Sequence, residues 1–370
     1  MFSGLVDYPI PATSKYNRLT FIQLQTLPIK KKTSLKDIAT AVGVSTALVS
    51  YVLNNKKEGR IRKEVAEKIR AMALKLNYKP NQIAKSLKTN KTNTIGLIVA
   101  DISNPFSSSL ARIIEDEAHR QGYTVIFGSS DEKPERCENL IETLVNRQVD
   151  GLIIFPPADS AGQIIQLKKQ QIPFVLVDRY FPEIETNQVT LDNYEATFDA
   201  IQHLVDAGRR KIGMITYRTS MVHLNDRIRG YWTALKTAEI KPLKNWLKQV
   251  KINNDPKEIR AAVDELLSRG IAVDSILFAS NRIAAIALKY IDELGIKVPE
   301  TLAIVGFDET EIFDFFRVPI TYVRQPLMEI GQTATRILLD NINSNKKCEQ
   351  VRLSAKLVIR KSSDQERYEL

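Results

Sequence analysis

The stretch TSLKDIATAVGVSTALVSYVLN, residues 33–54, decides how the rest of the chain is read. Leu35, Ile38, Ala39 and Val42 are apolar at i, i+3, i+4 and i+7, which is one face of a helix. Ser34 with Asp37 three residues on is a capping-box-like start. Gly43 follows the last apolar position, where a helix end often needs a positive φ. Ser45 can cap a second helix whose inner face is Leu48, Val49, Val52 and Leu53. Thr46, Ala47, Ser50 and Tyr51 then point away from that core. A tight pair of helices with the second one exposed is the geometry that reads a DNA major groove. An ordinary αα-hairpin has the same periodicity.

Charge weighs towards DNA. The chain carries a formal net charge of +10. Residues 30–91 hold sixteen Lys/Arg against four Asp/Glu, a balance of +12, and the remainder is 37 basic against 39 acidic. The whole excess therefore sits around the two helices, the footprint expected where lysines and arginines displace counterions from phosphates. The 370 residues imply more than one domain, and 44% hydrophobic with 26% charged residues fits a soluble globular protein. No apolar run has transmembrane length. The first thirty residues lack a basic stretch followed by an apolar one, so they read as an N-terminal extension without fixed structure rather than a signal peptide. That points to a cytoplasmic protein away from membranes, with Cys137 and Cys348 as reduced thiols.

Beyond a loop at 55–60, Val65, Ile69, Met72, Ala73 and Leu76 give a third helix over roughly 62–77, enough to close a small three-helix core. The next piece, QIAKSLKTNK, has Ile83, Ala84 and Leu87 apolar over about two turns, too short a helix to stand without a partner. From Thr94 the texture changes. Short apolar strands (TIGLIVA, YTVIFG, GLIIF, FVLV, 211–216, 248–252, SILFA, LAIVGF, TYVR and 351–359) alternate with helices near 108–121, 134–147, 161–170, 193–207, 227–238, 256–269, 281–294 and 326–343. That alternation predicts α/β architecture, with two doubly wound subdomains whose ligands bind outside the carboxyl ends of the strands.

Those ends carry Asp101 to Phe106, with Asn104 among them, then Phe155-Pro156-Pro157, Asp178-Arg179, Ser280-Asn281, Asp308 and Gln325, while Asp226-Arg227 leads into a helix. One such carboxylate commonly just caps a helix. Several Asp, Asn, Arg and Gln with Phe nearby suit vicinal hydroxyls and their apolar C–H faces, a polyol site. Catalytic signatures are missing: there is no GxxxxGK[ST], HExxH, GxSxG or CxxC, and two cysteines cannot build a closed zinc site. No catalytic residue, metal ligand or cofactor is assigned, and an enzyme is not expected.

From Thr33 to Ser362 the chain resembles the lactose-repressor/galactose-repressor family of bacterial transcription regulators, most specifically in LKDIATAVGVSTALVSYVLN, LNYKPNQIAKSL, VDGLIIF and ELGIKVPETLAIVGFDE. The resemblance implies a three-helix helix-turn-helix headpiece (31–78), a hinge helix (79–92) and a two-lobed effector-binding and dimerisation domain of the periplasmic-binding-protein type (93–362), flanked by the extension at 1–30 and a tail at 363–370. DNA contacts would fall on Ser45, Thr46, Ala47, Ser50, Tyr51 and Asn54, and on Asn81, Ala84 and Leu87 of the hinge, with Leu87 as a minor-groove wedge. Ligand contacts would fall on Asp178, Arg227, Asn281 and Asp308, and more weakly on Phe155, His223 and Gln325, joining the strand-end residues Asn104 and Phe106. A loop histidine in water is the alternative for His223.

Three departures from the family pattern matter. Arg62 and Lys63 stand where a Ser/Thr cap usually starts the third helix, losing about 1 kcal/mol. Tyr51 replaces a common Arg, while Thr46 and Ala47 are small, which favours contact with thymine methyls over bidentate hydrogen bonds. No leucine heptads follow Ser362, so a homodimer on a near-palindromic operator is expected, not a tetramer. The effector expected is a sugar. The alternative is a sugar- or nucleoside-binding protein without a DNA role.

Overall fold

The computed structural model describes residues 33–56, 60–79, 91–252, 255–344 and 348–364. The chain divides into two compact units between Gln82 and Ile83. The first is helical: α1 Leu35–Val42, α2 Thr46–Leu53 and α3 Lys63–Lys75. α1 opens on a complete capping box, in which Ser34 N donates to Asp37 Oδ2 (2.8 Å) and Asp37 N donates to Ser34 Oγ (3.3 Å). It closes on Gly43 at φ 75°. The chain turns through 108° between α1 and α2, within the helix-turn-helix range. Ile38, Val49, Val52 and Ile69 form the centre of the core, with Leu48 and Leu53 packed partly buried around them. Thr33 Oγ1 donates to the Leu76 carbonyl (2.9 Å), tying the start of the bundle to the end of α3. α3 has no side-chain cap at Arg62, the consequence of the basic pair there.

The second unit runs β1 Thr94–Val99, α4 Pro105–Arg120, β2 Thr124–Ser129, α5 Pro134–Asn146, β3 Gly151–Ile154, α6 Ala161–Lys169, β4 Phe174–Val177 and β5 Gln188–Leu191. It continues with α7 Asn193–Asp206, β6 Ile212–Tyr217, α8 Val222–Thr237, β7 Leu247–Val250, α9 Pro256–Leu267, β8 Ser275–Phe278 and α10 Asn281–Glu293. The last elements are β9 Ala303–Phe307, the single turn α11 Ile312–Phe315, β10 Thr321–Arg324, α12 Leu327–Ser344, β11 Gln350–Leu353 and β12 Lys356–Val358. Two six-stranded sheets result, ordered β11-β5-β4-β3-β1-β2 and β12-β10-β9-β8-β6-β7. Every pairing is parallel except β10 with β12. The inner strands β3, β4, β6, β8 and β9 are buried at every position, as parallel strands covered on both faces must be. Among the described residues no single helix is long and apolar enough to cross a membrane.

The chain passes between the two lobes three times. β5 ends the first sheet's early part at Leu191, and α7 then packs on the second lobe. β10 lies in the second sheet, whereas α12 returns to pack on the first lobe. β11 and β12 lie in different sheets with only Ser354 and Ala355 between them. The single strand expected at 351–359 is therefore two strands that close both sheets. β5 was not expected at all: QVTL is short and mixed in polarity, and its partners β4 and β11 lie on either side in space. α8 starts at Val222 rather than 227, which moves His223 out of a loop and into the first helical turn.

α7 and α8 pack closest at Gly230. A Cβ there would stand 2.3 Å from the Tyr194 carbonyl oxygen and 3.1 Å from Phe198 N, both backbone atoms that cannot step aside. Gly230→Ala should cost about 3 kcal/mol through overpacking, read as a lower urea midpoint at unchanged slope. A midpoint within experimental error of the parent would refute this packing.

Candidate functional site

The carboxyl ends of the two sheets face one cleft, which holds about 620 Å³ of empty space including its mouth. Asp101, Glu132 and Asp178 reach it from the first lobe, and Tyr217, Ser280, Asp308 and Gln325 from the second. Asp178 and Asp308 occupy equivalent places after β4 and β9. Both are left-handed, at φ 67° and 72°. Each donates its backbone N–H to the adjoining strand, Asp178 to the Val189 carbonyl (2.9 Å) and Asp308 to that of Val323 (3.0 Å). Aspartate tolerates this conformation better than most residues, and strained backbone of this kind concentrates at functional sites.

Burial pushes both carboxyls above the ordinary carboxylate range, against the pull of Arg227 on each and of Arg179 on Asp178. Arg227 comes from α8. Its Nε donates to Asn193 Oδ1 (2.8 Å), one Nη donates to the Ala279 carbonyl (2.6 Å), and the guanidinium lies 3.4 Å from the centre of the Phe307 ring. Arg179 is held by a bidentate pair with Glu132 at 2.6 and 2.7 Å. Arg282 reaches across to the first lobe, donating to Ser103 Oγ (2.8 Å) and pairing with Asp101. Tyr217 is raised to about 12, chiefly by burial.

Asn281 Nδ2 donates across the cleft to Asn104 Oδ1 (2.9 Å). Asn104 caps α4, the same oxygen accepting from Phe106 N (3.1 Å), so its orientation is fixed and Asn281 must present its amide hydrogens. This leaves the buried Asn281 Oδ1 with no partner. Gln325 likewise donates Nε2 to Asp308 Oδ1 (2.6 Å) and leaves Oε1 buried and unpartnered. His223 Nδ1 and Arg179 Nε are two further such atoms. Burial drives His223 well below the ordinary imidazole value, helped by Arg179 and Arg227, so the ring is neutral.

Of the nine residues expected to bind the effector, Asn104, Phe106, Asp178, His223, Arg227, Asp308 and Gln325 line the cleft, and Asn281 meets Asn104 across it. Phe155 does not line it. It is 1% exposed and packs edge-to-face against Phe106 at 6.5 Å, supporting that ring from the core. Glu132, Tyr217 and Arg282 line the cleft as well, although no motif in the sequence marks them. Among the described residues no His, Cys, Asp or Glu cluster is grouped to hold a metal.

On the helical unit, Thr46, Ala47, Tyr51 and Asn54 are exposed on one side of α2 and Ser50 is half-buried. Ser45 Oγ accepts from Leu48 N (3.2 Å) as the cap of α2, and Asn54 Nδ2 donates to the Ser50 carbonyl (2.8 Å). Asn81, Ala84 and Leu87 lie outside the described residues, as do residues 1–30.

A model of bacterial regulatory proteins of the lacI family matches residues 34–81, and a periplasmic binding protein-like domain matches residues 201–363. The ribose operon repressor of Haemophilus influenzae is 30% identical over 330 residues, covering 89% of this chain and 98% of that protein. The chain belongs to the lacI family. The repressor PurR of the same species is 28% identical over 335 residues, covering 89% of this chain and 98% of that one. The fold matches that of a lac repressor dimer bound to operator, with a TM-score of 0.80 at 24% identity over 90% of this chain and 100% of that one. As a lacI-family protein the chain is a DNA-binding transcriptional regulator with a periplasmic-binding-protein-like effector domain, and not an enzyme. Its partners are operator DNA and a small-molecule effector.

The neutral His223 ties the stability of this lacI-family effector domain to pH. The unfolded chain protonates the ring near 6.5 and the folded chain resists, so the contribution is complete above 6.5 and lost as pH falls below it. Asp178 and Asp308 act in the opposite sense, losing stability as pH rises above 3.8. Comparison with His223→Gln isolates the histidine. Between pH 7.5 and 5.5 the parent should lose more unfolding free energy than the variant, by up to about 1.4 kcal/mol per unit below the ordinary value. Parallel urea profiles for the two proteins would contradict a buried neutral ring.

Proposed function

We propose that the chain is a dimeric repressor, acting in the cytoplasm, whose affinity for a near-palindromic operator is set by a neutral sugar held between the two lobes. The observation that carries the sugar assignment is the surplus of hydrogen-bond acceptors over available cations in the cleft. Asn281 Oδ1 and Gln325 Oε1 are acceptors buried without partners, beside Asp178 and Asp308, and His223 Nδ1 is an unpartnered ring nitrogen that donates or accepts with the tautomer. Each guanidinium makes protein contacts: Arg179 with Glu132, Arg227 with Asn193 and the Ala279 carbonyl, Arg282 with Asp101 and Ser103, while Arg179 Nε is buried without a hydrogen bond, 3.5 Å from Asp178. Hydroxyl groups supply the missing donors. A phosphate or carboxylate would enter a site in which four carboxylic acids outnumber three guanidiniums. Phe106 offers an aromatic face to the C–H side of a ring.

The headpiece would span 31–78, the hinge 79–92 and the effector domain 93–362. Thr46, Ala47, Ser50 and Tyr51 would meet base edges, with Ser45 and Asn54 at the two ends of the reading helix. Asn81, Ala84 and Leu87 would meet the minor groove. Apolar side chains support the dimer: Phe127 on the edge strand β2 is 61% exposed and Phe315 in α11 is 83% exposed, both suited to cover by a second copy.

Fluorescence anisotropy on an operator fragment tests this reading. Binding should weaken by about 0.9 log units in K per log unit of salt for each neutralised phosphate, and a neutral sugar should change it. Asp308→Ala should keep operator affinity and lose the sugar response. Leu87→Ala should lower specific affinity while non-specific binding persists. A retained response in Asp308→Ala would remove Asp308 from the effector site, and salt-insensitive binding would remove the phosphate footprint.

A further inference from the structure

We infer that Asp150 is a positioning residue for operator binding: its carboxylate fixes the direction in which the linker to the headpiece leaves the first lobe. The inference rests on the reading of 79–92 as a hinge. Asp150 stands immediately before β3 and does not line the cleft. Its Oδ1 accepts from Thr92 N (2.8 Å) and its Oδ2 from Asn93 N (2.8 Å). The Thr92 hydroxyl lies 2.9 Å from Asp150 Oδ1 and 3.0 Å from the Gln148 carbonyl. Asp150 N donates in turn to the Thr94 carbonyl (2.7 Å). Two further elements hold the same short stretch. The Asn93 carbonyl accepts from Thr124 N at the start of β2 (2.9 Å), and Lys91 donates to Asn343 in the last turn of α12.

The sheet does not need these contacts. β1 is paired with β2 and β3 on its two sides and is buried from Ile95 onwards. Thr92 is half-buried and Asn93 exposed, so ordering them gains little apolar burial. Asn93 is also held left-handed, at φ 49°. What the contacts add is a fixed last step of the chain before the linker. Only a carboxylate supplies that step in full. Two backbone N–H groups face one side chain, and an amide would answer one of them with a donor. The anchor lies at the amino ends of β1 and β3, whose carboxyl ends face the cleft. α12, 18 residues and about 27 Å long, starts two residues after Gln325 of the cleft and reaches the anchor at Asn343. An operator that meets an ordered linker base escapes the conformational cost of fixing those residues, about fivefold in affinity or more for each.

A DNA duplex selected by the full-length parent chain from a randomised pool, and a scrambled duplex of the same composition, give the two affinities that test the inference. Asp150→Asn should bind the selected duplex about tenfold more weakly than the parent does. It should bind the scrambled one within about twofold, because the headpiece keeps its charge. Thr92→Val loses the hydroxyl and keeps the shape. It should fall in the same direction by about fivefold, and it decides alone if Asp150→Asn does not fold. Trypsin should cut after Lys91 faster in either variant than in the parent. Selected-duplex affinity within about twofold of the parent, or an equal loss on both duplexes, would overturn the inference. If Leu87→Ala alone loses specific affinity, the hinge stands and the anchor falls. If neither Leu87→Ala nor Asp150→Asn loses it, the hinge reading falls as well.

Discussion

Desolvation of Asp178, Asp308 and Arg227 at the meeting of the two lobes is the constraint on which the rest of the effector domain depends. Burial raises both carboxyls and lowers the guanidinium, and Arg227 acts against that on each acid, joined by Arg179 at Asp178. Asp178 belongs to the first lobe, whereas Arg227 and Asp308 belong to the second. Arg227 offsets Asp308 within the second lobe and reaches Asp178 across the cleft, while Arg179 offsets Asp178 from its own lobe. A ligand that donates hydrogen bonds to the carboxylates therefore acts on the lobe arrangement as well as on the site. The doubled strand-end geometry, with an αL aspartate after β4 and another after β9, is how the fold delivers the two acids to one place.

The three passages between lobes fit the same picture. Each is short: Asp192 alone separates β5 from α7, which begins at Asn193, and Gln325 and Pro326 separate β10 from α12. Asn193 holds Arg227, and Gln325 holds Asp308. The residues that position the charged groups are thus fixed to the segments about which the lobes would turn. Asn104–Asn281 and Arg282–Asp101 span the cleft as direct protein contacts.

Much of this was readable from the sequence because it rests on local rules. The capping box at Ser34, the αL glycine at 43 and the apolar strands buried on both faces follow from spacing alone. Strand ends also gave most of the cleft residues, since parallel topology sends those ends to one side. What local rules could not give was non-local. β5 and the split of the strand expected at 351–359 into β11 and β12 depend on partners far along the chain. Arg282 and Glu132 acquire meaning only through Asp101 and Arg179, distant in sequence. Phe155 was misplaced because a strand-end aromatic can face the ligand or back another ring, and only packing decides.

The charge of the ligand is the most direct measure of the cleft. Calorimetric titration of the purified full-length chain should compare matched pairs, ribose with ribose 5-phosphate and glucose with glucose 6-phosphate, with hypoxanthine as a purine. With four carboxylic acids against three guanidiniums and two amide oxygens unpartnered, a neutral sugar should bind, and its phosphate should bind about a hundredfold more weakly or not at all. Tighter binding of a phosphate ester or of the purine would contradict it.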